Sequence, residues 1–138
     1  MYDKLLVAVD HSNVTERVLA AARELACLSK GKVWVLHLRE REVIPRMGLV
    51  PTESDTEAEA QVRSAVEALT QAGVEAHGEV RDTVFGHAAR EIVDDAREHD
   101  AGIIVMGSRG RTDIVGLVLG STAHKVIHLA DVPVLVVR

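Results

Sequence analysis

Five short apolar runs alternate with stretches of helical periodicity along this chain, and that rhythm leaves few architectures open. Residues 4–9, 33–38 and 102–106 are β-rich aliphatic runs, as strands covered on both faces should be. In 74–80 the residues Val74, Ala76, Gly78 and Val80 alternate with polar neighbours, which predicts a less buried strand. The last run, 133–137, is apolar on both faces. Between the strands lie helical stripes: Val18, Leu19, Ala22, Leu25 and Ala26; then Ala58, Val62, Val66 and Leu69; then Ala88, Ala89, Ile92, Val93 and Ala96; finally Ala123, Val126, Ile127 and Ala130. Strands alternating with helices predict an α/β fold: one Rossmann-like domain, a five-stranded parallel sheet with helices on both faces. Right-handed crossovers then set the C-terminal ends of the first and fourth strands side by side, at the switch point where ligands bind. Asp10 follows one of those ends and Gly107 the other.

The loop after the fourth strand carries the chemistry. Residues 107–122 read G-S-R-G-R-T-D-I-V-G-L-V-L-G-S-T. A strand, a glycine-rich loop and a helix start together bind phosphate on backbone N–H groups. Gly107 and Gly110 admit a ligand close to the main chain, and Gly120, Ser121 and Thr122 open the next helix with uncapped donors and the positive end of its dipole. Arg109 sits between the first two glycines, where a guanidinium fork suits phosphate oxygens; Arg111 is the weaker candidate. Ser108 and Ser121 add hydroxyl donors. Asp10 reads either as a cap of the first helix or as a contact to ribose hydroxyls or a bound Mg2+. The chain has no G-x4-G-K-[S/T], and no G-x-G-x-x-G after its first strand, so neither a P-loop nor a standard dinucleotide site is supported.

The spacing Gly107-x2-Gly110-x9-Gly120-Ser121 resembles the ATP-binding subgroup of the universal stress protein family. The resemblance extends to Leu5-Leu6-Val7-Ala8-Val9-Asp10, to 33–38 with His37 before Leu38, and to Val132-Pro133-Val134-Leu135-Val136-Val137, so it spans nearly all of 1–138. It implies a universal stress protein domain over 1–138 with ATP, alone or with Mg2+ at Asp10, as ligand. Adenine would lie near Val9 and Leu38, a residue that periodicity alone assigns to the core. The ribose would lie by Asp10 and the phosphates on Gly107, Ser108, Arg109, Gly110, Gly120, Ser121 and Thr122. Where Ala123 stands the family often carries a hydroxyl, so one phosphate contact is missing. The resemblance also implies a C2 homodimer that pairs strand 133–137 with its twin, which would cover an apolar edge.

Composition narrows the partners. Of the 138 residues 47% are hydrophobic and 27% charged, enough for one packed core and a soluble surface. Only Tyr2, Trp34 and Phe85 are aromatic, and the net charge is −5, so neither base stacking nor a basic face recommends nucleic acid. No apolar run reaches membrane-spanning length and no leader precedes the first strand, which predicts a cytoplasmic protein with no membrane partner. Cys27, the only cysteine, excludes an internal disulfide and reads as a small core residue.

Several local features complete the reading. Asn13 and Glu16 have capping-box spacing at the first helix. Residues 39–55 mix charges with Pro45, Gly48 and Pro51 and predict a long, mobile excursion with little structure. The apolar 114–119 would pack under the last helix or against another subunit. His124 and His128, four apart, lack an H-E-x-x-H pattern or an obvious third ligand and read as a polar flank. The function that follows is a nucleotide-dependent stress-response sensor or switch. The alternatives are a slow ATPase or autophosphorylating enzyme with Asp10 and Asp113 as candidate groups, and an adaptor dimer binding AMP or a cyclic nucleotide. No catalytic constellation emerges, so enzyme activity stays open at the level of weak ATP hydrolysis.

Overall fold

The structure, a computed structural model, describes every residue except His11, Thr52, Glu53 and 109–118, with the backbone alone at Leu49 and Pro51. The elements follow in the order β1 (Lys4–Val9), α1 (Thr15–Ser29), β2 (Lys32–Ile44), β3 (Gly48–Pro51), α2 (Asp55–Gln71), β4 (Ala76–Val84), α3 (Ala88–Glu98), β5 (Ile103–Gly107), α4 (Ser121–Leu129) and β6 (Val134–Val137). The five runs legible in the sequence pair in parallel: β1 lies between β2 and β5, β4 pairs β2, and β6 pairs β5. This is the doubly wound α/β sheet that the alternation predicts.

The period of a strand divides the core into two layers. From β1, Leu5, Val7 and Val9 face α1 and α2, where they meet Val18, Ala22, Ala26, Ala65 and Leu69. Leu6 faces the other way, toward Ala89, Ile92, Val93 and Ala96 of α3 and Ala123 and Val126 of α4. Neighbouring strands follow suit, with Val33 and Val35 in the first layer and Leu36 in the second. Because both faces are covered, the central strands read as unbroken aliphatic runs. With so few aromatic side chains, small aliphatic residues let helices sit close on the sheet. The tightest approach of this kind is at Gly78, where an added Cβ would run into Val62 and lie 2.8 Å from Val66 Cγ2, both on α2.

Four local expectations are corrected. Residues 39–55 are not an unstructured excursion. β2 runs on to Ile44, turns, and returns as the antiparallel β3, with Ile44 opposite Gly48 and Arg41 opposite Pro51. The physical reason is an ionic anchor at the base of this hairpin. Arg39 grips Asp82 of β4 with Nε on Oδ1 at 2.7 Å and Nη2 on Oδ2 at 2.9 Å, while also pairing with Asp55; Arg41 adds a second contact to Asp82. The charges that looked like a solvated loop thus neutralise one another across strands. Second, α1 has no Asn13–Glu16 capping box: its N-cap is Val14, without a side-chain cap bond, and a capping box is found instead at α2, between Ser54 and Glu57. Third, Cys27 is exposed, one position past the buried stripe of Val18, Ala22 and Ala26. Fourth, Ile127 is 48% exposed beside the buried Val126.

Candidate functional site

The site is set by strand order. β1 and β5 pair from Leu5↔Ile103 to Val7↔Val105, and the same register carried two residues further puts Val9 level with Gly107. The sequence separation between Asp10 and the glycine loop therefore vanishes at one sheet edge. β2 lies on the other side of β1, with Val9 opposite His37, so Leu38 stands one residue beyond and packs half-buried on the second core layer.

Asp10 is locked rather than dangling. Its Oδ1 accepts the Ser12 N–H at 2.8 Å and lies 3.1 Å from Thr15 Oγ1. Its backbone carbonyl accepts from Thr15 Oγ1 at 2.6 Å and from the Gln61 amide of α2. These bonds tie the end of β1 to the first turn of α1 and to α2. Asp10 is thus not the cap of α1, whose N-cap is Val14; its bonds to Ser12 and Thr15 brace the turn before the helix and hold the carboxylate at the end of β1. His37, fully buried, bonds Nδ1 to the Val9 carbonyl at 3.0 Å. A carbonyl only accepts, so Nδ1 carries the proton and the ring fastens β2 to the last residue of β1.

The far side of the loop is equally constrained. The Ser108 N–H donates to the Val137 carbonyl at 2.7 Å, and the Ser108 carbonyl accepts the Gly120 N–H at 2.5 Å. The loop leaves the sheet at Ser108 and returns to the same residue at Gly120. Gly120, extended at φ −67° and ψ 159°, is the N-cap of α4 and has no side chain with which to cap it. The first helical bond runs from His124 N–H to the Gly120 carbonyl at 3.0 Å, so the donors of Ser121, Thr122 and Ala123 head the helix. Ser121 is exposed, Thr122 half-buried and Ala123 buried in the core layer under α4. A hydroxyl at 123 would face that apolar layer, so alanine there belongs to the packing. Gly107 pairs with Val137 and Ser108 is buried, its bonds among the described residues made by its backbone. Arg109, Gly110, Arg111, Asp113 and most of 114–119 fall outside the described residues.

Glu40 and Gln61 were not legible as site residues. Glu40 was assigned to the excursion, yet it lies in β2 and is half-buried. Burial raises its carboxyl above the usual range, and the nearby charges of Glu42 and Asp10 add to the effect. The negative charge of Asp10 is thus felt at Glu40, on the neighbouring strand. Arg41 pairs at once with Pro51 of β3 and Val84 of β4, so β3 takes the edge of β2 that β1 vacates after Val9. The hairpin thus continues the sheet beyond Asp10. Only the length of β2, invisible to a propensity reading of Arg39-Glu40-Arg41-Glu42, would have revealed it.

Comparison with known proteins accords with this geometry. The family described as the universal stress protein family matches residues 1–138. The chain is 33% identical over 153 residues to universal stress protein YxiE of Bacillus subtilis, covering 100% of each. Protein MJ0577 of Methanocaldococcus jannaschii superposes with a TM-score of 0.81 at 25% identity, covering 99% of this chain and 96% of the other. The universal stress protein of Archaeoglobus fulgidus in complex with dAMP superposes with a TM-score of 0.75 at 31% identity, covering 99% and 98%. The chain is a member of the universal stress protein family.

Proposed function

We propose that this protein binds an adenine nucleotide, ATP in the first instance, over the C-terminal ends of β1 and β5, and acts as a nucleotide-dependent sensor or switch in the stress response. The observation that carries the reading is the uncapped start of α4, which the Gly120–Ser108 bond delivers to the end of β5, beside the strand that ends in Asp10. Three donors and a helix dipole there favour a phosphate. The phosphates would rest on Gly107, Ser108, Arg109 and Gly110 and on Gly120, Ser121 and Thr122. The ribose would meet Asp10, and the adenine would lie against Val9 and Leu38. The carboxylate of Asp10 would hold Mg2+, which neutralises phosphate charge when bound. The dAMP complex of the Archaeoglobus fulgidus relative supports an adenine nucleotide as the ligand class.

The hairpin of β2 and β3 gives a bound nucleotide something to act on, because it lies in line with β1 just past Asp10. The remaining expectations belong to the same proposal. β6 pairs with β5 on one edge and, among the described residues, with nothing on the other; Leu135 in it is 39% exposed. A C2 dimer through 133–137 would cover that edge. Among the described residues no helix is long and apolar enough to cross a membrane, and we assign the protein to the cytoplasm, where ATP is made and spent.

Thermal unfolding with and without millimolar ATP and Mg2+ tests the proposal, in the wild type and in Gly110→Glu. A ligand at a hundred times its Kd stabilises the native state by about 2.7 kcal/mol. The melting temperature should rise in the wild type and not in the variant. No rise with ATP, AMP or a cyclic nucleotide would overturn the reading.

A further inference from the structure

A second cluster of chemistry-bearing groups lies away from the glycine loop, between β4 and α3. In β4, His77, Glu79 and Arg81 stand opposite Trp34, Leu36 and Leu38 of β2, which places them on the side of the sheet that α3 covers. From α3, Asp95 and His99, one helical turn apart, face them. His99 Nε2 lies 3.1 Å from Glu79 Oε1 and 3.5 Å from Asp95 Oδ1, and one potential ligand atom from each of the three residues lies within 4.8 Å of the others. We propose that Glu79, Asp95 and His99 form a binding site for a divalent transition-metal ion of the zinc class.

The spacing is the first argument. Metal–ligand bonds of about 2.0–2.1 Å in a tetrahedron set the ligands about 3.3 Å apart. His99 Nε2 is within hydrogen-bond distance of Glu79 Oε1 at 3.1 Å and lies 3.5 Å from Asp95 Oδ1, either side of that value. The second is Asp95 itself. Its side chain is wholly buried, and neither carboxylate oxygen accepts a hydrogen bond. A buried carboxylate is costly without a cation beside it; Arg81 supplies an ion pair to Oδ1, and Oδ2 has no hydrogen bond among the described residues. Arg81 Nη2 lies 2.9 Å from Oδ1 without completing a hydrogen bond. Arg81 also donates from Nη2 to Glu98 at 2.5 Å and from Nε to Glu79 Oε2 at 3.3 Å, the oxygen of Glu79 that His99 does not face.

Charge points the same way. Burial, then Glu79, raises the Asp95 carboxyl to about 7, and an entering ion would displace its proton. That leaves the carboxylates of Glu79, Asp95 and Glu98 against the single guanidinium of Arg81, two negative charges with His99 neutral, as a ligand must be. A divalent ion cancels them. Trp34 holds the imidazole in place, its ring stacked on His99 with centroids 4.9 Å apart and the planes 23° from parallel. Arg81, bonded to Glu79, would orient that ligand from outside the coordination sphere. With three protein ligands and His99 partly open to solvent, a fourth position is left for water. The ion would fasten α3 to β4, an outer strand of the parallel sheet. Nothing in this site depends on the nucleotide.

The test is calorimetric titration of the metal-stripped full chain with Zn2+ alone, in a background carrying His124→Gln and His128→Gln. That pair, rings 4.8 Å apart on α4, is the competing site to be silenced. One Zn2+ per chain should bind and raise the melting temperature. Since loss of an outer-sphere partner alone weakens metal sites about 10- to 100-fold, His99→Gln and Glu79→Gln should each weaken binding by more than about tenfold. Asp95→Asn should do the same where circular dichroism shows it folded; the two half-buried positions decide the matter if it is not. No binding in the background, or unchanged binding in both His99→Gln and Glu79→Gln, would overturn the proposal.

Discussion

The Gly120 N–H donates to the Ser108 carbonyl at 2.5 Å, closing the base of the glycine loop on a residue whose own N–H is held by Val137. Whatever path the loop takes, α4 starts where β5 stops. The proposed phosphate recognition at this point would need no positively charged pocket, so a net charge of −5 is no obstacle to it.

Ser121→Asp separates folding from binding at that helix start. A carboxylate in the first turn of α4 favours the helix dipole by roughly 0.3–1 kcal/mol, so the ligand-free protein should melt at the same temperature or slightly higher. The same charge repels a phosphate, and the rise in melting temperature with ATP and Mg2+ should shrink or vanish. An undiminished rise would place the phosphates elsewhere.

Asp10 and Thr15 should divide their roles. Thr15→Val removes the hydroxyl that bonds the Asp10 carbonyl at 2.6 Å and should destabilise the protein by about 1–2 kcal/mol by chemical denaturation. Asp10→Asn keeps an oxygen for the Ser12 N–H and loses only charge. Its stability should change by less than about 1 kcal/mol, while the Mg2+-dependent part of nucleotide binding falls.

The hairpin anchor carries a pH signature. The hydrogen bond from Arg39, then that from Arg41, holds the Asp82 carboxyl below its ordinary value. A carboxyl with a lowered folded pKa binds fewer protons in the native state than in the unfolded one. Its contribution is therefore present above the unfolded value of 3.8 and is lost as pH falls through the folded one. Asp82→Asn should lower stability at pH 7 by about 1 kcal/mol, roughly 2–4 °C in melting temperature, and the gap from wild type should close under strongly acid conditions. A gap independent of pH would show that packing, rather than charge, anchors the hairpin.

Gly78→Ala tests the closeness of α2 to the sheet. The new methyl meets Val62 and lies 2.8 Å from Val66 Cγ2, so overpacking should cost about 1–3 kcal/mol. Adding Val62→Ala to it should recover part of the loss, because the two positions share one space. Strict additivity would refute the contact.

What the sequence determined by itself was the periodic part of the molecule. Strand runs and helix stripes reflect burial on one face or two, and a linear pattern records burial directly; Ala88, Ala89, Ile92, Val93 and Ala96 are all buried as their spacing predicts. The juxtaposition of Asp10 with Gly107 followed from the handedness of crossovers, a rule that needs only element order. Tertiary structure alone decided the rest. Arg39, Glu40 and Arg41 read as loop because charge is polar in any window; what holds the segment as strand is Asp82 of β4, paired with Arg39 and Arg41, together with Asp55 of α2, paired with Arg39. Glu79, Asp95 and His99 gave no signal, because ligands split between a strand and a helix have no spacing to detect. Contacts between distant charges depend on where the chain goes, and that is settled by packing the apolar layers first.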